Sequence, residues 1–493
     1  MTNISRYTLL FITSTGVLLW LAYTSFGLWS GYSYWNDELW SVAVPTQSIA
    51  QQFHILINDV HPPLYQIALA IWIAVFGESE LATRGLSALF VASIAVPLYR
   101  LAPKLKRTAG LLFVVFFLSN WLVYFYAQEA RSYAMLLSLT VWSYYLFLDE
   151  NRWSIFLFLS ALALTHFYGA LVAVIMLFWI AIESRTNWRV LTACGATFLI
   201  AITWPIMFLT LGQGNDVVGG DFWIRTSSAG SLRHAIQAGL PLYDTLLRTI
   251  GRSFSGDVLG IVLNGLYLLI FFLIFRGFRA FDFEGKKIVL KTCYLLFACV
   301  LSVYVISFHT PTSMVRNFII LAAPGSLLAA VIIFAVCEFK YMRHITLLAV
   351  AYGFCIAQFQ INEKLASRFA PEQDWKGVAR EVLALAQDND LEDIYLVGAA
   401  SPGRSEDFLI ARGGFYLRDI ETLHLLHAGE FADMPIGSVL YFGHTGGATK
   451  TGACENNLTQ QLTSAGLEYD VIFAEQFKQC QNGYIIVTGN QAK

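Results

Sequence analysis

The sequence predicts a polytopic α-helical membrane protein of about 11 transmembrane helices, with juxtamembrane helices in the first outer loop and a small C-terminal extracytoplasmic α/β domain. Three observations carry that reading. Only 13% of the 493 residues are charged while 56% are hydrophobic, with a mean hydropathy of +0.57; a soluble domain carries about 25% charged residues. Apolar runs long enough to cross a bilayer recur from Arg6 to Ile361. Beyond Pro371 the character changes to short strand-like runs separated by Gly and Asn turns.

The first run, residues 7–27, is long enough to span and lacks a small-residue cleavage site, so it reads as a retained helix. Basic clusters fall at Arg100/Lys104/Lys106/Arg107, Arg152, Arg185/Arg189, Arg276/Arg279/Lys286/Lys287 and Lys340/Arg343. Placing them in the cytoplasm by the positive-inside rule sets the alternation. Spans then lie near 7–27, 80–99, 109–127, 132–149, 153–166, 168–183, 190–211, 257–275, 288–308, 317–337 and 344–361. The odd number puts the N-terminus inside and the polar tail outside a cytoplasmic (inner) membrane. The chain divides into a transmembrane domain, 1–361, and a C-terminal domain, 362–493.

Two stretches need separate treatment. Residues 62–76 are apolar but fall short of the ~20 residues a crossing needs. Counting them as a span would move Lys104, Lys106 and Arg107 to the wrong side. They read as a juxtamembrane or re-entrant helix started by Pro62-Pro63. The run 153–182 is too long for one helix and short for two, and Thr165-His166-Phe167-Tyr168-Gly169 at its middle implies a tight outward hairpin. The outer segments are therefore 28–79, 126–132, 165–169, 212–256 and 309–317. In the tail, 375–387 is amphipathic, 393–398 reads as a buried strand, and 438–442, 470–474 and 484–487 are further strands.

The cysteines fall into two sets. Cys194, Cys293, Cys299, Cys337 and Cys355 lie in apolar stretches and read as core thiols; Cys454 and Cys480 lie in the exported tail, where a pair suggests a disulfide. A net charge of −2 without a basic face excludes a nucleic-acid partner. The chain has no Walker A motif, no G-x-G-x-x-G unit and no Gly-x-Ser-x-Gly elbow, which excludes nucleotide-driven transport and serine hydrolysis.

The ionisable residues of the outer segments are the candidate site, because charge at a membrane boundary is costly to keep. Asp37 and Glu38 adjoin in Trp35-Asn36-Asp37-Glu38-Leu39-Trp40, and sequence neighbours point in different directions. One suits a general base towards an acceptor hydroxyl or amine, and the other a structural or cation-holding role. The bland alternative is a pair of helix N-terminal anions. In Asn58-Asp59-Val60-His61-Pro62-Pro63-Leu64-Tyr65, the prolines start a helix whose first N–H groups suit a phosphate, and Asp59 can orient His61 or share a cation with it. An ordinary turn into an interfacial helix is the competing reading. Arg131, in Tyr126-Ala127-Gln128-Glu129-Ala130-Arg131-Ser132-Tyr133, offers a fork for phosphate or an ion pair with Glu129, and Arg316 has the same two readings. Arg84, one turn inside the second span, requires a partner such as an outer-loop carboxylate. His166 is either a packing residue or a ligand. Phe222-Trp223-Ile224-Arg225 suits a sugar face, a lipid tail or an interfacial belt.

Together these segments resemble the membrane-embedded C-type glycosyltransferases, in particular the bacterial branch related to protein O-mannosyltransferases and lipid A aminoarabinose transferases. The resemblance rests on Asp37-Glu38, Asp59-Val60-His61-Pro62-Pro63-Leu64-Tyr65, Gly77-Glu78-Ser79-Glu80 followed by Arg84, Gln128-Glu129-Ala130-Arg131-Ser132-Tyr133-Ala134, Thr165-His166-Phe167-Tyr168, and Arg316 before Pro324. It spans residues 20–324. It implies an inverting transfer of a sugar from a polyprenyl-phosphate carrier to a protein, lipid or glycan acceptor on the outer face of the membrane. Asp37 would be the base and Glu38 its support. Tyr65, His61, Arg131, His166 and Arg316 would bind the donor's phosphate and sugar. His61 stands where some relatives have a lysine, which shifts phosphate contact towards Arg131 or Arg316. In some relatives an acidic residue before the Pro-Pro turn helps bind a divalent cation, a role that would fall to Asp59, although this sequence requires no cofactor. A flippase, polymerase or lipid transporter is the rival class, but it predicts charges along a transmembrane path and internal repeats.

Overall fold

The computed structural model describes residues 32–59, 61–151, 153–212, 226–240, 272–310, 313–339, 341–368, 375–388, 394–397, 411–412, 414–417, 423–426, 438–442, 463–464, 466–472 and 483–490. The expected first span, most of the span near 257–275, residues 222–225, Cys454 and Cys480 lie outside the described residues. The chain forms two compact units. One comprises Met1–Ser25, Asp59–Tyr65 and Ser87–Leu365; the other comprises Phe26–Asn58, Gln66–Leu86 and Ala366–Lys493. The polar tail thus shares its unit with most of the loop 28–79.

That loop holds three helices, α1 (Asn36–Ala43), α2 (Ile49–Ile57) and α3 (Leu64–Phe76). Helix α2 starts in a capping box, with the Ser48 hydroxyl accepting from the Gln51 N–H and the Gln51 side chain returning to the Ser48 N–H. Next come α4 (Glu80–Ser93) and α5 (Ala95–Leu101), which with a 3-10 turn make the 25-residue apolar rod Glu80–Lys104. The run expected as one span over 109–127 is instead α6 (Arg107–Leu118) and α7 (Trp121–Tyr126). The break is set at Asn120. The Asn120 side chain caps α7 by accepting from the Leu122 N–H at 3.1 Å, and its amide donates to Ala238 O at 2.7 Å.

The remaining helices are α8 (Tyr133–Asp149), α9 (Ser154–Ala163), α10 (Phe167–Glu183), α11 (Trp188–Leu211), α12 (Ser228–Gly239), a helical stretch at 272–280, α13 (Phe283–Ile306), α14 (Ala322–Cys337) and α15 (Arg343–Arg368). The expected hairpin is present, since α9 and α10 are joined by Leu164, Thr165 and His166 alone. Its tightness depends on Gly169, where an added Cβ would lie 2.3 Å from Leu162 O. A 3-10 turn, Val315–Leu321, leads into α14. Five described helices are long and apolar enough to cross a membrane: Glu80–Lys104, Trp188–Leu211, Phe283–Ile306, Val315–Cys337 and Arg343–Leu365. Helices α3, α6, α9 and α10 are apolar and shorter.

Within the first unit, α8 is the central rod. It packs against α9, α5, α14 and the 315–321 turn, and it buries residues on every side. Helix α6 lies along α14, α10 lies between α9 and α11, and α12 abuts α13, α14 and the 315–321 turn. The closest approach is backbone to backbone, where a Cβ on Gly325 would stand 1.9 Å from Gly239 O.

The basic clusters converge at one end of this unit. Lys104 pairs with Asp149, and Lys287 pairs with Glu150 and, at 3.3 Å, with Glu183. Buried Lys291 reaches Glu150 at 3.0 Å, Glu183 at 3.5 Å and Phe147 O at 3.1 Å. Arg276 lies over the Phe339 ring. Burial pushes the Glu150 carboxyl up, but bonds to Lys287 and Lys291 more than offset it and hold the group below its ordinary range. Of the apolar-stretch cysteines, Cys194, Cys299 and Cys337 are buried and Cys293 is half-buried. Cys355 departs from the expectation: it is exposed, on a face of α15 that also exposes Leu348, Tyr352 and Phe359.

In the second unit the tail forms α16 (Trp375–Asp388) and a five-stranded sheet of β1 (Ile394–Val397), β2 (Leu423–Leu426), β3 (Val439–Phe442), β4 (Leu467–Ile472) and β5 (Gly483–Asn490). The order is β2-β1-β3-β5-β4. Strand β1 runs parallel to β2 and β3, and β5 runs antiparallel to β3 and β4. Helix α16 places Trp375, Val378, Ala379 and Val382 on one buried stripe and packs against β3 and β5. The sequence signal missed β2, whose Leu-His-Leu-Leu run is too short and unbranched to read as a strand.

Candidate functional site

In the first unit the Asp59–Tyr65 segment meets the α9–α10 hairpin, through the Leu64 N–H donating to Leu164 O at 2.9 Å. That contact brings His61 beside His166. Their rings stand edge to face with centroids 5.1 Å apart, and Tyr133, at the start of α8, lies 6.1 Å from His61 and 5.6 Å from His166. Asp59 Oδ2 sits 2.8 Å from His61 Nδ1 and holds that ring's orientation. The Arg316 guanidinium lies over the Tyr133 ring at 5.4 Å from its centroid. Tyr65 is buried at the first turn of α3. Four segments far apart in sequence thus converge: 59–65, 126–133, 165–168 and 316.

The electrostatics of this cluster are specific. His166 is the N-cap of α10, its Nδ1 accepting from the Tyr168 N–H at 3.1 Å, which leaves the proton of the neutral ring on Nε2. Burial, then the neighbouring His61, Arg316 and Arg131, hold its pKa well below the usual histidine value of 6.5. His166 is thus a neutral donor among cations. Arg131 lies in the turn between α7 and α8, where residues 127–132 are all buried. The turn is fixed by the Arg131 N–H donating to Glu129 O at 2.8 Å and the Ser87 hydroxyl donating to the same oxygen at 2.5 Å. Two guanidiniums, a neutral imidazole donor, a carboxylate-oriented histidine and a tyrosine are a donor-rich set suited to a phosphate-type anion.

Asp59 and His61 also bear on metal binding. They are two adjacent donors, and among the described residues no group of three His, Cys, Asp or Glu side chains could hold an ion. A divalent cation shared with a substrate phosphate would draw on one or two carboxylates, of which Asp59 is the candidate.

In the second unit the acidic pair divides. Glu38 is fully buried and takes Arg84 in a fork, Nε to Oε1 at 2.9 Å and Nη2 to Oε2 at 2.7 Å. Arg84 donates further to Tyr32 O at 2.9 Å and Ser33 O at 3.0 Å. Glu38 therefore holds the loop to α4, which is the partner that an arginine one turn into an apolar helix required. Asp37 is half-buried in the first turn of α1, where a carboxylate benefits from the helix dipole.

Residues that sequence reasoning had not singled out complete this loop. The Tyr34 hydroxyl donates to Glu78 O at 2.8 Å and lies 2.6 Å from the Thr83 hydroxyl. Its N–H donates to the Tyr416 hydroxyl at 2.7 Å, and Tyr416 donates to Glu80 at 2.9 Å. Burial, then the Glu80 charge, keep the Tyr416 hydroxyl protonated far above the ordinary tyrosine range. In the first unit the ring of Tyr133 joins the cluster, a residue the sequence marks only as part of the 126–133 motif. Its one available signal was an aromatic ring placed two residues after a candidate phosphate-binding arginine.

No family model matches the chain, and no curated protein matches it in sequence. Among the solved structures that match are two of ArnT from Cupriavidus metallidurans, each covered almost end to end. The apo structure is 11% identical, with a TM-score of 0.55 over 98% of this chain and 98% of ArnT. The structure bound to undecaprenyl phosphate is 10% identical, with a TM-score of 0.53 over 96% of this chain and 98% of ArnT. The chain therefore has the polytopic membrane fold of ArnT.

Proposed function

We propose that the protein transfers a sugar from a polyprenyl-phosphate carrier to an acceptor on the outer face of the cytoplasmic membrane, with inversion at the anomeric carbon. The observation that supports this best is the convergence of His61, His166, Arg131 and Arg316 into one donor-rich cluster, in a chain whose fold is shared with a protein solved with undecaprenyl phosphate. Arg131 and Arg316 hold the phosphate, His166 donates through Nε2–H, and Asp59 keeps His61 turned towards the same group. Tyr65 helps shape the surrounding wall. Asp37 takes the proton of the acceptor hydroxyl or amine as that oxygen or nitrogen bonds to the anomeric carbon. The bond from that carbon to the phosphate oxygen breaks, and its electron pair leaves with the polyprenyl phosphate. A phosphate leaving group needs cationic stabilisation and no strong acid, and one carboxylate suffices for a single displacement. No step passes through a metal. The basic ends of the helices face the cytoplasm in this scheme, and the tail lies outside.

The test is transfer in reconstituted membranes from a panel of labelled polyprenyl-phosphate sugars, comparing wild type with Asp37→Asn and Arg316→Met. Carrier-dependent transfer lost in Asp37→Asn supports the base, and a raised KM for the carrier in Arg316→Met supports the phosphate role. Transfer that survives Asp37→Asn removes the base assignment. No transfer from any carrier, together with facilitated lipid movement across the bilayer, would replace the reading with a transporter.

A further inference from the structure

The C-terminal region has no role in the chemistry just described, yet it contacts the loop that carries Asp37. Within the second unit, residues 32–35 are an extended segment leading into α1, and their backbone is held from two sides. From α4, Arg84 takes the carbonyls of Tyr32 and Ser33. From the tail, Tyr416 accepts the Tyr34 N–H at 2.7 Å, and the Lys376 N–H donates to the Ser33 hydroxyl at 3.2 Å. The two tail residues are tied together through Glu80, which takes the Tyr416 hydroxyl at 2.9 Å and Lys376 Nζ at 3.0 Å. Ring packing adds to the grip. Tyr34 stacks on Tyr416 at 6.3 Å and meets Phe415 edge-on at 5.4 Å.

The tail segments that do this are themselves supported. Residues Phe415–Leu417 pack on α16, and α16 packs on the sheet with Trp375 at its base. A hydrogen-bonded acceptor for a backbone N–H, supplied from 382 residues away, fixes the chain just three residues before Asp37. A module that only recruited a partner would have no need of such bonds.

We propose that Tyr416 and Lys376 are positioning residues for the segment carrying Asp37, so that the C-terminal domain is a working part of the transfer machinery. The proposal rests on Asp37 acting in the reaction, as set out above. Loss of the clamp moves that carboxylate, and misplacement of a reacting group by ~1 Å costs up to about 100-fold in rate.

The experiment uses the full-length protein in lipid nanodiscs. Tyr416→Phe keeps the ring and deletes the hydroxyl, while Glu80→Gln keeps an oxygen that still accepts from Tyr416. Amide hydrogen exchange over residues 32–40 reads the clamp directly, and kcat and KM read its consequence. The expected result for Tyr416→Phe is faster exchange in that segment, a fall in kcat of about 10- to 100-fold, and an unchanged KM for the lipid carrier. Glu80→Gln should stay closer to wild type in both readouts. Should Tyr416→Phe not fold, Ser33→Ala deletes the hydroxyl that accepts the Lys376 N–H and tests the same clamp. Unchanged exchange over 32–40 overturns the proposal whatever the activity, and faster exchange with unchanged kcat overturns it too. Failure of Asp37 as base is read separately, from an active Asp37→Asn, and the exchange result distinguishes that failure from failure of the clamp.

Discussion

Removing Arg84 should be among the most damaging single changes in the second unit. Arg84→Met deletes four hydrogen bonds of 2.7–3.0 Å, two to Glu38 and one each to the carbonyls of Tyr32 and Ser33. The side chains of Arg84 and Glu38 are 2% and 0% exposed, so no water stands ready to replace the guanidinium. Taking one partner from a buried pair costs about 3–5 kcal/mol, because the other charge stays buried without its counter-charge. Glu38→Leu should be damaging for the same reason, with Arg84 as the stranded ion. The double variant Glu38→Leu/Arg84→Met removes both charges and should recover most of the loss, because apolar replacement of a buried pair is often near neutral. Unfolding of detergent-solubilised protein, followed by tryptophan fluorescence, gives the three stabilities and hence the coupling. Single variants that each cost less than about 1 kcal/mol, as exposed pairs do, would refute the reasoning. Transfer activity in the double variant adds a second readout. Recovery of stability without activity would show that Glu38 does more than hold the loop.

Three further predictions concern the first unit. His166 is held neutral, so its contribution to stability is complete above the ordinary histidine value of 6.5 and is lost as pH falls from there towards its depressed folded value. His166→Asn keeps an N-cap acceptor but cannot titrate, and should flatten the fall in thermal stability between pH 7 and 5; an equal fall in both proteins would contradict the neutral assignment. At the α12–α14 crossing, Gly325→Ala places a Cβ 1.9 Å from Gly239 O and should destabilise by at least ~1–3 kcal/mol through overpacking. Gly195→Ala in α11 meets nothing within 4 Å and should be neutral or slightly stabilising by the same unfolding assay.

The chain legibly encodes its helices because the information is local. Apolar length, the sign of the flanking charge and a Gly-containing turn are properties of one stretch of sequence, so the α9–α10 hairpin and the gathering of basic loops at one end follow from reading it residue by residue. The break at Asn120 was not legible in that way. Its capping oxygen is local, but its amide is satisfied by Ala238, 118 residues on.

The candidate site divides along the same line. Residue type alone marked Asp37, Asp59, His61, Arg131, His166 and Arg316, since ionisable groups among apolar helices carry a cost that demands a reason. It also required that Arg84 have a partner, because a guanidinium buried in an apolar helix cannot remain uncompensated. Only the tertiary structure decided which carboxylate that partner is, turning Glu38 into a clamp and leaving Asp37 half-exposed beside it. Only packing set His61 against His166 and drove His166 neutral, because burial and neighbouring charge depend on segments that are distant in sequence. Tyr416 gave no signal at all: a tyrosine in a polar tail acquires its meaning from a backbone N–H 382 residues earlier. Sequence determines which groups must be satisfied, and the fold determines by what, because hydrogen bonds and ion pairs are decided by distances of a few ångströms that chain separation does not encode.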